Sequence, residues 1–155
     1  MRAPRDTDEA RQLLTLQKWA DRKATLKDVR GYRDEELYAI AKTAYFFYYQ
    51  GRLDEARTLF QGLYAVNPTD AYFAKALGVV ELAAGNAQGA LAAYNVAQTL
   101  SPADPGVYVS RAEVKLALGQ KGQAAEDLKQ AVAKAGQEDP LRVKAEAMLA
   151  GLIRR

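Results

Sequence analysis

The sequence has 155 residues, of which 49% are hydrophobic and 26% charged, and its formal net charge is +3. These proportions are those of one soluble globular domain. The chain contains no cysteine and no histidine, which excludes disulfides, thiolate nucleophiles and the usual zinc ligands. The lack of cysteine fits a cytosolic protein. No apolar stretch approaches the roughly 20 residues that a bilayer span requires.

The first predicted element is a helix over about residues 7–22. Asp6 and Glu9 have the spacing of a capping box at its start. The helix carries more apolar residues than one intramolecular stripe needs, namely Leu13, Leu14, Leu16 and Trp19. We therefore expect it to take part in a homodimer. The segment from Arg30 to Glu36 is then interpreted as a break between this helix and the first repeat.

From residue 37 onward the sequence repeats every 34 residues. Three positions recur in register: Gly51, Gly85 and Gly119; Ala44, Gly78 and Ala112; and Ala56, Ala90 and Ala124. The glycines fall between two apolar-periodic runs, where a helix end needs a residue that tolerates a positive φ. The other two sets are small residues, which let two helix backbones approach closely. Each unit is therefore predicted to be a helix, a tight turn and a second helix.

The units are predicted at residues 37–70, 71–104 and 105–138. Their helices are expected at about 36–50 and 53–66, 70–84 and 87–100, and 104–118 and 121–135. Asp139 and Pro140 have the pattern of an N-cap and a first helical residue, so a last helix is expected at 140–153. The sequence thus predicts an all-α fold: three helical hairpins stacked as a short solenoid, with an N-terminal segment (1–36) and a C-terminal capping helix (139–155).

This pattern resembles the tetratricopeptide repeat over residues 37–138, because the period and the recurring small, aromatic and proline positions match. The sequence departs from that family in a few places. Ile40 stands where tryptophan is favoured, and Arg111 and Lys115 occupy positions that are usually apolar or aromatic. We therefore expect the third unit to be packed less tightly.

Five consecutive aromatic residues, Tyr45 to Tyr49, lie in the first unit. At 100° per residue the run divides between two helix faces. Phe47 falls with Leu37, Ile40 and Ala44 on the face that packs within a repeat, so it is predicted to be core. Phe46 lies between the two faces and is expected to pack against the N-terminal segment. The other face carries Ala41 and four tyrosines, Tyr38, Tyr45, Tyr48 and Tyr49.

In stacked hairpins of this type the first helices line a concave groove. The equivalent positions of the later units continue it with Tyr72, Lys75, Val79, Leu82, Val109, Glu113 and Leu116. Lys75 and Glu113 are expected to be isolated charges. Tyrosine offers a large contact area with a polar end at modest entropic cost, so the groove suits an extended apolar peptide. The alternative is that the N-terminal helix folds back over the tyrosines and buries them.

The layout is also similar to a narrower family, the class II chaperones of bacterial type III secretion, which bind hydrophobic translocator proteins in the bacterial cytosol. The similarity rests on residues 24–56, "ATLKDVRGYRDEELYAIAKTAYFFYYQGRLDEA", and on residues 77–105. It implies that Tyr45 and Tyr48 line the pocket for a short translocator segment, and that Phe73 matches an aromatic residue of the next unit.

The same resemblance raises two further expectations. Ala41 departs from the family, in which tyrosine is frequent there, so the pocket is either wider or filled by Tyr38. The family commonly self-associates through its N-terminal region, which fits the apolar helix around Trp19. The resemblance thus implies a cytoplasmic homodimer that binds an extended hydrophobic segment, with no nucleic acid and no membrane span.

An enzyme is not favoured by these residues. The two serines, Ser101 and Ser110, have no plausible base nearby in the pattern, and no phosphate-binding lysine follows the "GNAQG" turn at residues 85–89. No catalytic residue, metal or cofactor is predicted. The competing hypothesis is a general tetratricopeptide scaffold, such as a needle-subunit chaperone or a pilus-assembly protein. A clamp for acidic C-termini is excluded, because its Lys and Asn positions read Ala41, Tyr45, Ala76, Gly106 and Ser110.

Overall fold

The computed structural model describes residue 11 and residues 25–154. Within residues 25–154 every regular element is an α-helix: α1 Leu26–Arg30, α2 Asp34–Tyr49, α3 Leu53–Val66, α4 Ala71–Ala83, α5 Ala87–Leu100, α6 Pro105–Ala117, α7 Lys121–Lys134 and α8 Pro140–Ile153. The all-α class and the helical hairpins are confirmed, and α2 to α8 lie close to their predicted bounds. The helix expected at 7–22 lies outside the described residues.

The chain forms two compact units that divide between Thr69 and Asp70. The first unit contains the first hairpin, α2 and α3, together with α1. The second unit contains the second hairpin (α4 and α5), the third hairpin (α6 and α7) and α8. The division into three parts at residues 36 and 138 remains a prediction from the sequence.

The 34-residue repeat is also a repeat of backbone geometry. In each hairpin the turn glycine is left-handed, with φ of 75° at Gly51, 82° at Gly85 and 75° at Gly119. The next residue then donates its backbone N–H to a carbonyl five residues earlier: Arg52 to Phe47 at 2.9 Å, Asn86 to Glu81 at 2.8 Å and Gln120 to Lys115 at 2.8 Å. These bonds close the end of each first helix, as predicted from glycine at this position.

Aspartate side chains begin three of the helices. The Asp70, Asp104 and Asp139 carboxylates accept hydrogen bonds from the backbone N–H two residues later, each at 2.9 Å. They satisfy donors that have no partner inside the helix. At α2 the backbone N–H of Arg33 donates to Glu36 Oε2 at 3.2 Å. That bond, with those from the Arg33 side chain, lowers the pKa of Glu36.

The short helix α1 was not predicted, because the segment before residue 37 was interpreted as a break. Its start is fixed by Asp28, whose carboxylate accepts from the Thr25 backbone N–H at 2.9 Å and from the Thr25 hydroxyl at 3.1 Å. It ends at Gly31, which has a φ of 73°. The Thr-x-x-Asp spacing followed by glycine is the signal that could have revealed it.

The core of the first unit lies between α2 and α3, and α1 contacts α3. Its buried side chains are Leu37, Ala41 and Ala44 from α2 and Ala56, Phe60 and Leu63 from α3. The alanines let the two helices approach closely, and Phe60 is the largest side chain enclosed between them.

In the second unit, α4 and α5 approach closely at the predicted small residue Gly78. A Cβ atom at Gly78 would lie 2.7 Å from the Tyr94 ring. A second core joins α6, α7 and α8 around Tyr108, Val109 and Ala145. The last helix packs there through Leu141, Ala145, Met148 and Leu152.

Candidate binding surface

Four tyrosines of α2 form the candidate surface, which we call the tyrosine surface: Tyr38, Tyr45, Tyr48 and Tyr49. The Tyr45 ring lies 6.4 Å from that of Tyr48, edge to face, and 6.3 Å from that of Tyr49 in a stacked arrangement. The Tyr48 and Tyr49 rings are 5.2 Å apart. Tyr49 is 80% exposed and Tyr38 is 39% exposed, so part of this aromatic area is open to a ligand.

The tyrosine surface is attached to the core through Tyr45. Its half-buried ring lies 4.9 Å from the Phe60 ring in an edge-to-face contact, and Phe60 is fully buried. Such aromatic pairs are favourable beyond their buried area. The position of Tyr45 is therefore fixed by packing inside the hairpin, contrary to the expectation that intrarepeat packing does not use this residue.

Phe47 and Ile40 were predicted to lie on the core face of α2, but neither is buried. Phe47 is only half-buried, and the Arg52 guanidinium lies 4.4 Å above its ring. Ile40 is 40% exposed. The buried arc of α2 is centred on Leu37, Ala41 and Ala44, which turns it by about 50° from the predicted centre, or half of one residue step. The helix contact forms where alanine permits close approach, and the bulkier Ile40 and Phe47 remain at the side.

Three predicted binding residues belong to the core instead. Ala41 and Phe73 are fully buried, and Val109 is 2% exposed. Val109 packs with the α7 and α8 side chains of the second core. A helical position that faces a groove in one repeat can therefore face the core in another, and these three assignments are corrected.

The two charges expected to be isolated are both paired. Lys75 Nζ lies 3.0 Å from Asp104 Oδ2, and the same carboxylate caps α6. Glu113 Oε1 lies 2.5 Å from Lys144 Nζ of α8. Tyr72 is exposed, whereas the three aliphatic candidates, Val79, Leu82 and Leu116, are half-buried against core side chains. The Lys75–Asp104 pair links α4 to the start of α6, and the Glu113–Lys144 pair links α6 to α8.

The third hairpin contains a group of largely buried charged side chains that was not predicted from the sequence. We call it the ionic cluster, and it consists of Arg111, Lys115 and Asp127. Asp127 accepts from Arg111 Nε at 2.9 Å and Nη2 at 2.7 Å, and Lys115 Nζ lies 2.8 Å away. Arg111 also donates to Asn95 of α5 at 3.2 Å. Asp127 lies three residues after Ala124, on the buried face of α7. An acidic residue there, together with the unexpected Arg111 and Lys115, was the sequence signal that could have revealed the cluster.

Comparison with known families agrees with the repeat geometry. Residues 38–105 match the family model of the tetratricopeptide repeat. The match spans the first two hairpins, and the helical hairpins of this chain are of the tetratricopeptide type. A search of curated proteins found no match.

Several solved structures share the fold over most of this chain. A type III secretion complex from Aeromonas hydrophila has a TM-score of 0.82 at 23% identity, covering 90% of this chain and 95% of that one. The translocator chaperone SycD of Yersinia enterocolitica has a TM-score of 0.76 at 22% identity, covering 83% and 98%. PcrH of Pseudomonas aeruginosa, solved with the chaperone-binding region of PopD, has a TM-score of 0.74 at 25% identity, covering 81% and 96%.

Between residues 25 and 154 no group of three or more acidic side chains is placed to hold a metal ion. In the same part of the chain, no helix has both the length and the apolar character needed to cross a membrane.

Proposed function

We propose that this protein is a non-catalytic chaperone that holds an extended hydrophobic segment of a secreted, translocator-type protein in the bacterial cytosol before export. The single observation that carries the proposal is the partly exposed tyrosine surface on the first helix of a tetratricopeptide hairpin. Aromatic side chains held by core packing make strong binding anchors, because little conformational entropy is lost when they contact a ligand.

The solved relatives of this fold support the same function. PcrH has been solved with the chaperone-binding regions of PopD and of PopB, and SycD with a peptide of the translocator YopD. Within the first unit the segment would contact Tyr38, Tyr45, Tyr48 and Tyr49. Tyr72, Val79 and Leu82 of α4 are further candidates, and Lys75, Glu113 and Leu116 offer charged and aliphatic contacts.

The experiment is to isolate the tagged full-length chain from its native host and to identify the co-purifying protein by mass spectrometry. We expect a secreted protein with hydrophobic segments. A variant with Tyr48 and Tyr49 changed to alanine should lose it, and a Tyr32→Ala variant should retain it. Recovery of a needle subunit or a pilus protein, lost in the same way from the tyrosine variant, would favour the general scaffold instead.

The proposal includes a homodimer in which the N-terminal helix takes part through Leu13, Leu14, Leu16 and Trp19. The structure of SycD in an alternative dimer supports self-association within this fold. Light scattering of the chain without residues 1–22 tests this point, and a decrease in oligomeric state is expected. An unchanged mass, or a full-length chain that is monomeric at tens of micromolar, would contradict the dimer.

A further inference from the structure

A cleft lies in the second unit between the end of α6, the start of α7 and the C-terminal part of α8. We call it the α8 pocket, and its volume is about 240 Å³. Apolar side chains, one glycine and one lysine line it: Leu116, Lys121, Met148, Gly151 and Leu152. Apolar walls with a few polar or charged groups are typical of binding pockets.

The 34-residue repeat shows how the same space is filled one hairpin earlier. One step back along the repeat takes the lining residues to the junction of the second and third hairpins, at Leu82, Ala87, Val114, Ala117 and Leu118. All of these except Ala117 belong to one packed apolar cluster, in which Tyr94 is the largest side chain. Helix α8 thus packs on the third hairpin as α6 packs on the second, but the interior between them is left open.

Small residues explain why the α8 pocket is open. Leu128 stands at the repeat position of Tyr94, and Ala125 stands at the position of Leu91, so both replacements remove side-chain volume from the junction. The lining residue Gly151 has no side chain. A Cβ atom added to it would meet nothing within 4 Å, apart from its chain neighbours and its own helix backbone. The pocket is therefore a consequence of the sequence of α7 and α8.

The rim of the pocket carries a positive charge. Lys121 is the first residue of α7 and stands at the repeat position of Ala87. It is exposed, and it forms no ion pair with the residues that the structure describes. An apolar cavity of about 150 Å³ is large enough to bind benzene, so the α8 pocket has room for one large apolar side chain. A matching ligand carries a carboxylate next to that side chain.

We propose that the α8 pocket binds one bulky apolar side chain of the cargo segment, with an adjacent acidic residue paired to Lys121. The inference rests on the proposed chaperone function for the source of this segment. Leu116 is shared between the pocket and the candidate contacts of the cargo, so the pocket continues that binding surface within the second unit. The charge at the rim selects an acidic neighbour over a basic one.

Met148 gives the pocket its own spectroscopic signal. The chain has two methionines, Met1 and Met148, so carbon-13 labelling of the methionine methyl groups gives one signal from the pocket and at most one other. The probe is the blocked peptide acetyl-Ser-Phe-Glu-Ser-amide, which should shift the Met148 signal of the full-length protein. The same peptide with lysine for glutamate should bind about threefold more weakly or worse. Serine in place of phenylalanine should abolish the shift.

Matched variants test the pocket itself. Gly151→Leu places a side chain in the open space and should abolish the response of Met148 to the peptide. Gly62→Leu is the control, because Gly62 is a helical glycine of α3 with equally open surroundings. Lys121→Glu should weaken peptide binding about threefold or more. Lys129→Glu, with the same change in net charge on the same helix, should leave it unchanged.

The outcomes separate this proposal from cargo recognition at the tyrosine surface. A variant with Tyr48 and Tyr49 changed to alanine should lose the cargo and keep the Met148 response to the peptide. Gly151→Leu should weaken cargo binding about tenfold, as for the loss of one buried anchor. If no secreted cargo co-purifies with the wild type, the proposed function fails, while the peptide titration still reports on the pocket.

Three results would overturn the proposal. The first is equal shifts of Met148 with the glutamate and lysine peptides, or no shift with either. The second is unchanged cargo affinity of a folded Gly151→Leu variant. The third is a fall in the mass of that variant measured by light scattering, because it would show that a second copy of the chain occupies the pocket.

Discussion

The first and third hairpins have the same backbone and opposite chemistry on the same flank. Phe47 and Leu59 of the first line an open pocket, and their equivalents Lys115 and Asp127 form an ion pair of 2.8 Å. In the third hairpin the charges are enclosed, and in the first the apolar groups are accessible. Repeat architecture therefore fixes where side chains lie, while their surroundings decide whether a position serves packing or recognition.

The largest expected effect comes from breaking the ionic cluster of the third hairpin. Asp127→Ala leaves two largely buried cations without their shared carboxylate and should lower the free energy of unfolding by about 3–5 kcal/mol. Urea denaturation measures this loss. The matched control gives the third hairpin the residues of the first: Arg111→Thr, Lys115→Phe and Asp127→Leu together.

The triple variant should be close to the wild type in stability, because apolar replacement of a buried ion pair is often neutral or better. If the triple variant is as unstable as Asp127→Ala, the two flanks are not interchangeable and the comparison between the hairpins fails.

The first hairpin has a matching contrast between its core and its exposed aromatic residues. Phe60→Ala should cost about 3–5 kcal/mol through a core cavity. Phe46→Ala, at an exposed position, should change the free energy of unfolding by no more than about 0.5 kcal/mol. Thermal and urea unfolding of both variants provide the measurement. Similar losses in the two would mean that the core of α2 and α3 is assigned to the wrong face.

A smaller effect tests the interior that all three hairpins share. Gly78→Leu would force a side chain into the Tyr94 ring, since a Cβ atom alone would be 2.7 Å away, and should cost about 1–3 kcal/mol or more. Gly122→Ala is the control, because no atom other than those of its chain neighbours and of its own helix backbone lies within 4 Å of the added Cβ. A stable Gly78→Leu variant would contradict the close contact between α4 and α5.

Most of this architecture could be predicted from the sequence because the repeat supplies three independent copies of each signal. Gly51, Gly85 and Gly119 gave the turns, and Pro140 gave the start of the last helix. The short helix α1 has no such copies, and it was missed.

The binding surface was less predictable, because a helical wheel gives the angles of side chains but not the centre of the helix contact. Ala41, Phe73 and Val109 were therefore predicted to face the groove, although they lie in the core. The ion pairs of Lys75 and Glu113 depend on partners 29 and 31 residues away in the sequence, Asp104 and Lys144, which helical periodicity cannot connect.

The tyrosine surface is the central claim, and Tyr48 tests it most directly. The protein that co-purifies with the wild-type chain is purified and titrated against Tyr48→Ala and against the control Tyr32→Ala, an exposed tyrosine outside the tyrosine surface. Tyr48→Ala should weaken binding by about 2 kcal/mol, as for an aromatic anchor, which is about thirtyfold in Kd, and Tyr32→Ala should bind as the wild type does. Wild-type affinity of a folded Tyr48→Ala variant would contradict the account.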